Sequence, residues 1–165
     1  MSAEYERRAN IAAPEFRRFP NFPEGFRPGI ARYGSLFGAG STGMSLYELP
    51  PGEAIGPYHY EYPEEEWLLV IEGRPTLRNP GGETELEAWD VVFFPSGPEG
   101  AHKVRNDTDS TVRVLMFSNT SRVAASVYPD SEKVAIWTGN DDDDLIVKRT
   151  SSVGYWEGES ADTSS

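Results

Sequence analysis

Two histidines are the whole imidazole complement of this 165-residue chain, and both stand among carboxylates. His59-Tyr60-Glu61 sets an imidazole and a carboxylate two positions apart. In an extended segment such positions point to the same face. Glu66 follows five residues later and opens the apolar run 67–71; about thirty residues further on come Asp90, the turn 95–100, His102 and Asn106. Imidazoles and carboxylates move protons near neutral pH and bind divalent cations. A histidine standing alone is more often a satisfied core or surface residue, but here both have acidic company. The chain has no cysteine, which removes thiolate ligands, a Cys nucleophile and disulfides. No nucleophile elbow, phosphate loop or Ser/His/Asp order is present either.

The elements that must position these groups read as strands. Short β-rich runs recur at 30–36, 44–49, 67–71, 75–78, 84–86, 91–94, 102–105, 112–117, 123–128, 133–137 and 145–148. Pro50-Pro51-Gly52, Asn79-Pro80-Gly81-Gly82, Pro95-Ser96-Gly97-Pro98 and Asn106-Asp107-Thr108-Asp109 punctuate them. Many short strands at this spacing predict an all-β sandwich or barrel, not βαβ units. The first dozen residues are the one helix candidate. Residues 1–29 form a lead-in whose Phe16, Phe19, Phe22 and Phe26 are expected to pack across the sheet or onto a second subunit. Residues 30–137 are the barrel. Residues 138–165 hold an acidic loop, a final strand and a tail, with Asp141–Asp144 read as a solvated loop and 158–165 as disordered.

The order of these residues resembles the two motifs of the cupin superfamily. Pro51-Gly52, Pro57, His59-x-Glu61, Glu66 and Gly73 are similar to the first motif, over 51–73. Asp90-Val-Val-Phe-Phe-Pro95-x-Gly97, Gly100, His102 and Asn106 are similar to the second, over 90–106. The chain departs from the pattern in several places. Glu61 stands where the second histidine usually stands, and Gly52 is one residue farther from His59. Trp89 replaces the glycine that opens the second motif, and Pro98-Glu99 is a two-residue insertion before His102. The string from Phe94 to His102 and the later 127–134 resemble a bacterial subgroup of small single-domain cupins.

The resemblance implies a single double-stranded β-helix, a jelly-roll barrel of two antiparallel sheets. It also implies a metal ion at the barrel mouth, and position by position the ligands would be His59, Glu61, Glu66 and His102. Glu64 and Glu65 are neighbouring carboxylates, but the spacing to Gly73 singles out Glu66. Two imidazoles and two carboxylates suit Zn, Mn, Fe or Ni, with positions left for water or a ligand. Glu61 in place of a neutral histidine would bring the ion to zero net charge and make a bound water less acidic. The alternative is a barrel without metal, in which Glu61 hydrogen-bonds another side chain.

Composition narrows the partners. With 15 Lys plus Arg against 27 Asp plus Glu, the net charge of −12 opposes nucleic-acid and anionic-membrane binding. The run 67–71 is far below the ~20 residues of a membrane span, and no signal peptide is visible, so a cytoplasmic protein is expected. The expected function is a metal-binding cupin that takes a small molecule in an apolar barrel. The alternatives are a metal-dependent enzyme, of the oxygenase or isomerase/lyase class, and a metal-free ligand binder. The aromatic lead-in and the prevalence of two-fold pairing predict a homodimer.

Overall fold

The computed structural model describes residues 7–160. Twelve strands carry these residues: β1 Gly29–Arg32, β2 Thr42–Leu49, β3 Tyr60–Tyr62, β4 Glu66–Glu72, β5 Thr76–Asn79, β6 Gly82–Glu85, β7 Val91–Phe94, β8 Lys103–Arg105, β9 Val112–Asn119, β10 Ala124–Tyr128, β11 Lys133–Trp137 and β12 Leu145–Lys148. One layer is a five-stranded sheet in the order β1-β2-β9-β4-β7. The other is built from β12-β11-β10-β3 and β6-β5-β8. Isolated antiparallel bridges, Ala54 to Arg105 and His59 to His102, join these two pieces into one face. All of the strand pairings are antiparallel. The expected all-β barrel of two antiparallel layers is what the chain forms.

Strand parity explains the core. In β2, β4 and β9 alternate residues face inward, so Leu49, Leu68, Val70, Val112 and Val114 meet Leu77 and Val104 of the opposite layer between the sheets. Burial of this kind is worth about 1.5–3 kcal/mol per large aliphatic side chain. The outer face of the five-stranded sheet is apolar too, and the lead-in covers part of it. Ala31, Tyr33, Leu46 and Leu115 form a second cluster there, packed by Ile11 and Phe16. Arg17 pairs with Ile30 through two 2.9 Å backbone hydrogen bonds, which ties the lead-in to β1. Phe19 and Phe22 stack on each other at 4.8 Å.

Some expectations fail locally. The run 30–36 does not remain a strand: it leaves the sheet after Arg32 and makes one helical turn, α1 (Tyr33–Phe37), closed by Gly38 at φ 69°. Gly34 explains the departure, since a Cβ there would lie 3.1 Å from the backbone nitrogen of Met44. The helix expected over the first dozen residues is absent from its described part, where residues 7–10 have no regular structure and residue 11 begins a turn. Residues 1–6 lie outside the described residues, as do 161–165 of the expected tail. Residues 141–143 do form an exposed turn, and the half-buried Asp144 closes it by accepting a 2.7 Å hydrogen bond from Thr138 N. No helix among the described residues is long and apolar enough to cross a membrane.

Candidate metal centre

The centre lies at one end of the barrel, where the two pieces of the second layer meet. His59 and His102 are directly opposite each other, with His59 N donating to His102 O at 3.1 Å and His102 N to His59 O at 2.8 Å. Their side chains therefore share a face, with ring centroids 4.9 Å apart. Each Nδ1 lies 2.9 Å from a backbone carbonyl, that of Pro57 for His59 and that of Gly100 for His102. A carbonyl only accepts, so both Nδ1 atoms carry the proton and both Nε2 atoms present lone pairs. Tyr128 stacks on the His59 ring at 5.8 Å. Phe94 stacks on His102 at 3.8 Å. The imidazoles are thus oriented from two sides.

Glu66 opens β4 on the inward parity and places Oε2 3.3 Å from His102 Nε2. Ligand atoms of His59, Glu66 and His102 all lie within 4.8 Å of one another. Glu61, expected as a fourth ligand, lies outside this trio. Its Oε1 is 3.8 Å from His59 Nε2 and accepts a 3.1 Å hydrogen bond from Ser126 Oγ, which in turn accepts from Trp137 Nε1 at 3.0 Å. Of the neighbouring carboxylates, Glu64 accepts from Ser121 N at 2.6 Å and Glu65 is exposed. Burial lowers the His59 pKa and, helped by the His59 ring, lowers His102 to about 3. Burial, then Glu61 and Glu64, pushes Glu66 up to about 8. Both imidazoles are held neutral, the state in which they bind metals.

The departures from the motif acquire structural roles. Pro98-Glu99 forms a 3-10 turn with Gly100. A Cβ on Gly100 would fall 1.8 Å from Pro95 O, so only glycine brings its carbonyl under His102. Trp89 stands where the motif has glycine and adopts φ 78°, a conformation that costs a side-chain-bearing residue roughly 1–2 kcal/mol. Asn106 is fully buried and donates to Leu49 O at 2.8 Å and Ser110 O at 2.7 Å, so it staples loops and is no ligand.

Beside Glu61 and Glu66 opens a cavity of about 320 Å³. An apolar ligand space was expected, but the aliphatic side chains of the barrel pack against one another, and the cavity lies at the rim. Its wall includes Arg32, Ser45, Tyr47, Ser118 and Thr120. Sequence reasoning missed these residues, as it missed Phe94, Ser126, Tyr128 and Trp137 around the centre. Strand alternation carried a signal for some of them: Ser118 continues the inward alternation of Val112, Val114 and Met116, and Ser45 and Tyr47 alternate with Leu49.

Comparison with known proteins agrees with the fold. Residues 45–118 match the family described as a cupin domain. The tetracenomycin polyketide synthase protein TcmJ of Streptomyces glaucescens is 30% identical over 81 residues, 49% of this chain and 52% of that protein. The chain thus spans about half the length of that relative. Two solved structures share the fold. A sugar phosphate isomerase of the cupin superfamily from Silicibacter pomeroyi has a TM-score of 0.76 at 21% identity, covering 88% of this chain and 94% of its own. A provisionally named sugar phosphate isomerase from Acidithiobacillus ferrooxidans has a TM-score of 0.77 at 22% identity, covering 87% and 91%.

Proposed function

We propose, from the premise that this chain belongs to the cupin superfamily, that it holds a divalent metal ion on His59, Glu66 and His102 and binds a small molecule beside it. The observation that carries this reading is the convergence of three ligand atoms within 4.8 Å. Donors about 2.1 Å from one ion are separated by roughly 3.0–3.4 Å when adjacent, and the 3.3 Å between His102 Nε2 and Glu66 Oε2 already meets that spacing. The chemistry of the set fits as well. Two neutral imidazoles and one carboxylate are borderline-to-hard donors, suited to Zn, Mn, Fe or Ni. Bound there, such an ion would supply Lewis acidity to an oxygen of the ligand.

The chain's own residues have assignable parts. Pro57 O and Gly100 O fix the imidazole tautomers, and the stacked rings of Tyr128 and Phe94 hold their planes. Metal content of the purified protein and of its His59→Ala, Glu66→Ala and His102→Ala variants tests the assignment. Stoichiometric metal in the wild type and loss in all three is the expected result.

A second reading, a metal-dependent enzyme of the isomerase/lyase or oxygenase class, is favoured by Glu61. Its carboxylate borders the centre at 3.8 Å from His59 while a hydroxyl from the neighbouring strand β10 holds it. That is a place from which a carboxylate can move a proton on a metal-bound ligand. The enzymatic names of the two structural relatives agree with this reading.

The chain is also proposed to form a homodimer. On the outer face, Phe117, Trp67 and Phe93 are in register across β9, β4 and β7, and all three are exposed. A contiguous aromatic row of this kind is a common mark of an association surface.

A further inference from the structure

We propose that the cavity beside the centre takes a small anionic polyol, with its anionic group at Arg32 and its hydroxyl groups at Ser118, Thr120 and the nearby carboxylates. The proposal rests on reading His59, Glu66 and His102 as a divalent-metal centre, because the charge balance below includes that ion.

Register places the polar groups together. Ser118 is paired with Gly43 on one side and with Glu66 on the other, so all three lie in one row across β2, β9 and β4. A Cβ on Gly43 would approach Ser118 Oγ to 2.4 Å, so this glycine leaves the space in which the hydroxyl lies. One row deeper, Arg32 is paired with Ser45 and Ser45 with Met116. Cross-strand partners share a face, so Arg32 stands on the side of the sheet that bears Ser45 and Tyr47.

These groups are not consumed by the fold. Among the described residues, the Ser118 and Thr120 hydroxyls make no hydrogen bond, and the Arg32 guanidinium makes no hydrogen bond or ion pair. Arg18, Arg74, Arg78, Arg105 and Arg113 are each bound to a carboxylate. In a chain of net charge −12, an arginine on a cavity wall without a carboxylate partner is available to an anion.

Size and charge narrow the ligand further. About 320 Å³ is the bulk volume of roughly ten waters, which suits a molecule of about a dozen heavy atoms. Glu61, Glu64 and Glu66 also line this space, so the ion-free cavity repels anions. With a divalent ion in place, the ion and Arg32 balance the three carboxylates, and an anion enters without net repulsion. A wall of hydroxyls and carboxylates penalises an apolar ligand, which would leave these groups unpaired.

Calorimetric titration of the zinc-loaded protein with gluconate, ribitol and 2-naphthoate tests the proposal, with metal content measured on the same samples. Gluconate should bind, ribitol about tenfold or more weaker, and 2-naphthoate not measurably. Arg32→Gln, an exposed substitution outside the centre, should weaken gluconate about tenfold or more while leaving ribitol and metal content unchanged. Ser118→Ala should weaken both polyols. Naphthoate binding as tightly as gluconate, an unaltered Arg32→Gln variant, or no gluconate binding would overturn the proposal. If no metal is taken up, the centre is wrong. Arg32-dependent gluconate binding would then keep Arg32 as the anion site but overturn the charge balance with the ion, and no gluconate binding would overturn both readings.

Discussion

His59 and His102 form a hydrogen-bonded antiparallel pair, each donating its backbone N–H to the other's carbonyl, with their rings 4.9 Å apart. The two motif segments are thus joined at the histidines themselves. One backbone pairing sets the spacing of both imidazoles, and Glu66 reaches them from the facing layer.

Metal content should follow this geometry. His59→Ala, His102→Ala and Glu66→Ala should each lower affinity by roughly 100-fold or more, whereas Glu61→Ala should cost about tenfold or less, since its carboxylate lies outside the trio. Glu61→His should keep the metal. Gly100→Ala, which touches no ligand atom, should still weaken binding by roughly 10–100-fold by displacing the carbonyl under His102. Elemental analysis and competition with a coloured chelator measure these effects. Equal metal content in all six variants would refute the assignment.

Metal uptake at pH 7 should release about one proton per ion. Glu66, raised to about 8, is protonated in the ion-free protein and must give up its proton, while His102, lowered to about 3, has none to lose from Nε2. Titration calorimetry in buffers of different ionisation enthalpy reads this number, and no proton release would contradict it.

The same groups set the pH dependence of ion-free stability. His102 binds its proton less readily when folded, so its contribution is complete above the ordinary imidazole value of 6.5 and is lost as pH falls toward 3. Glu66 binds its proton more readily when folded, so its contribution is complete below 4.5 and is lost as pH rises through 8. The two windows overlap between pH 4.5 and 6.5, where their slopes oppose each other, so ion-free protein should be most stable in that mildly acidic range, and added metal should move the optimum upward. Urea midpoints across pH, with and without zinc, test the shift.

Trp89→Gly should stabilise the protein by about 1 kcal/mol, because relief of the positive φ exceeds the entropy glycine gains on unfolding. Trp89 is 71% exposed and φ is 78°, so little packing is lost. Denaturant unfolding should show a higher midpoint at constant slope. A lower midpoint would mean that the indole contributes more than its exposure suggests.

Sedimentation should give a species of twice the 18.3 kDa chain mass. Trp67 is 47% exposed, Phe93 41% and Phe117 37%. Trp67→Ser with Phe93→Ser should shift the equilibrium toward the monomer without loss of metal. A wild type that remains at the chain mass at micromolar concentration would contradict the dimer.

Strand identity was largely legible from the sequence. β7, β11 and β12 run over the very residues that alternation and turn chemistry select, because the two-residue period and the demands of Gly and Pro act within a few positions. The motif spacing likewise marked His59, Glu66 and His102. Other features depended on distant pairing. Glu61 is held by Ser126 and Trp137 of β10 and β11, and Ser126 reaches it only through the register of β10 on β3. The 30–36 run ends early because Gly34 meets β2 at Met44. The cavity is polar because Arg32, Ser45, Ser118 and Glu66 come together across four strands. Local propensity and period are properties of the chain, but which face, row and neighbour a side chain meets is a property of register, and register is decided only when the layers close on a shared core.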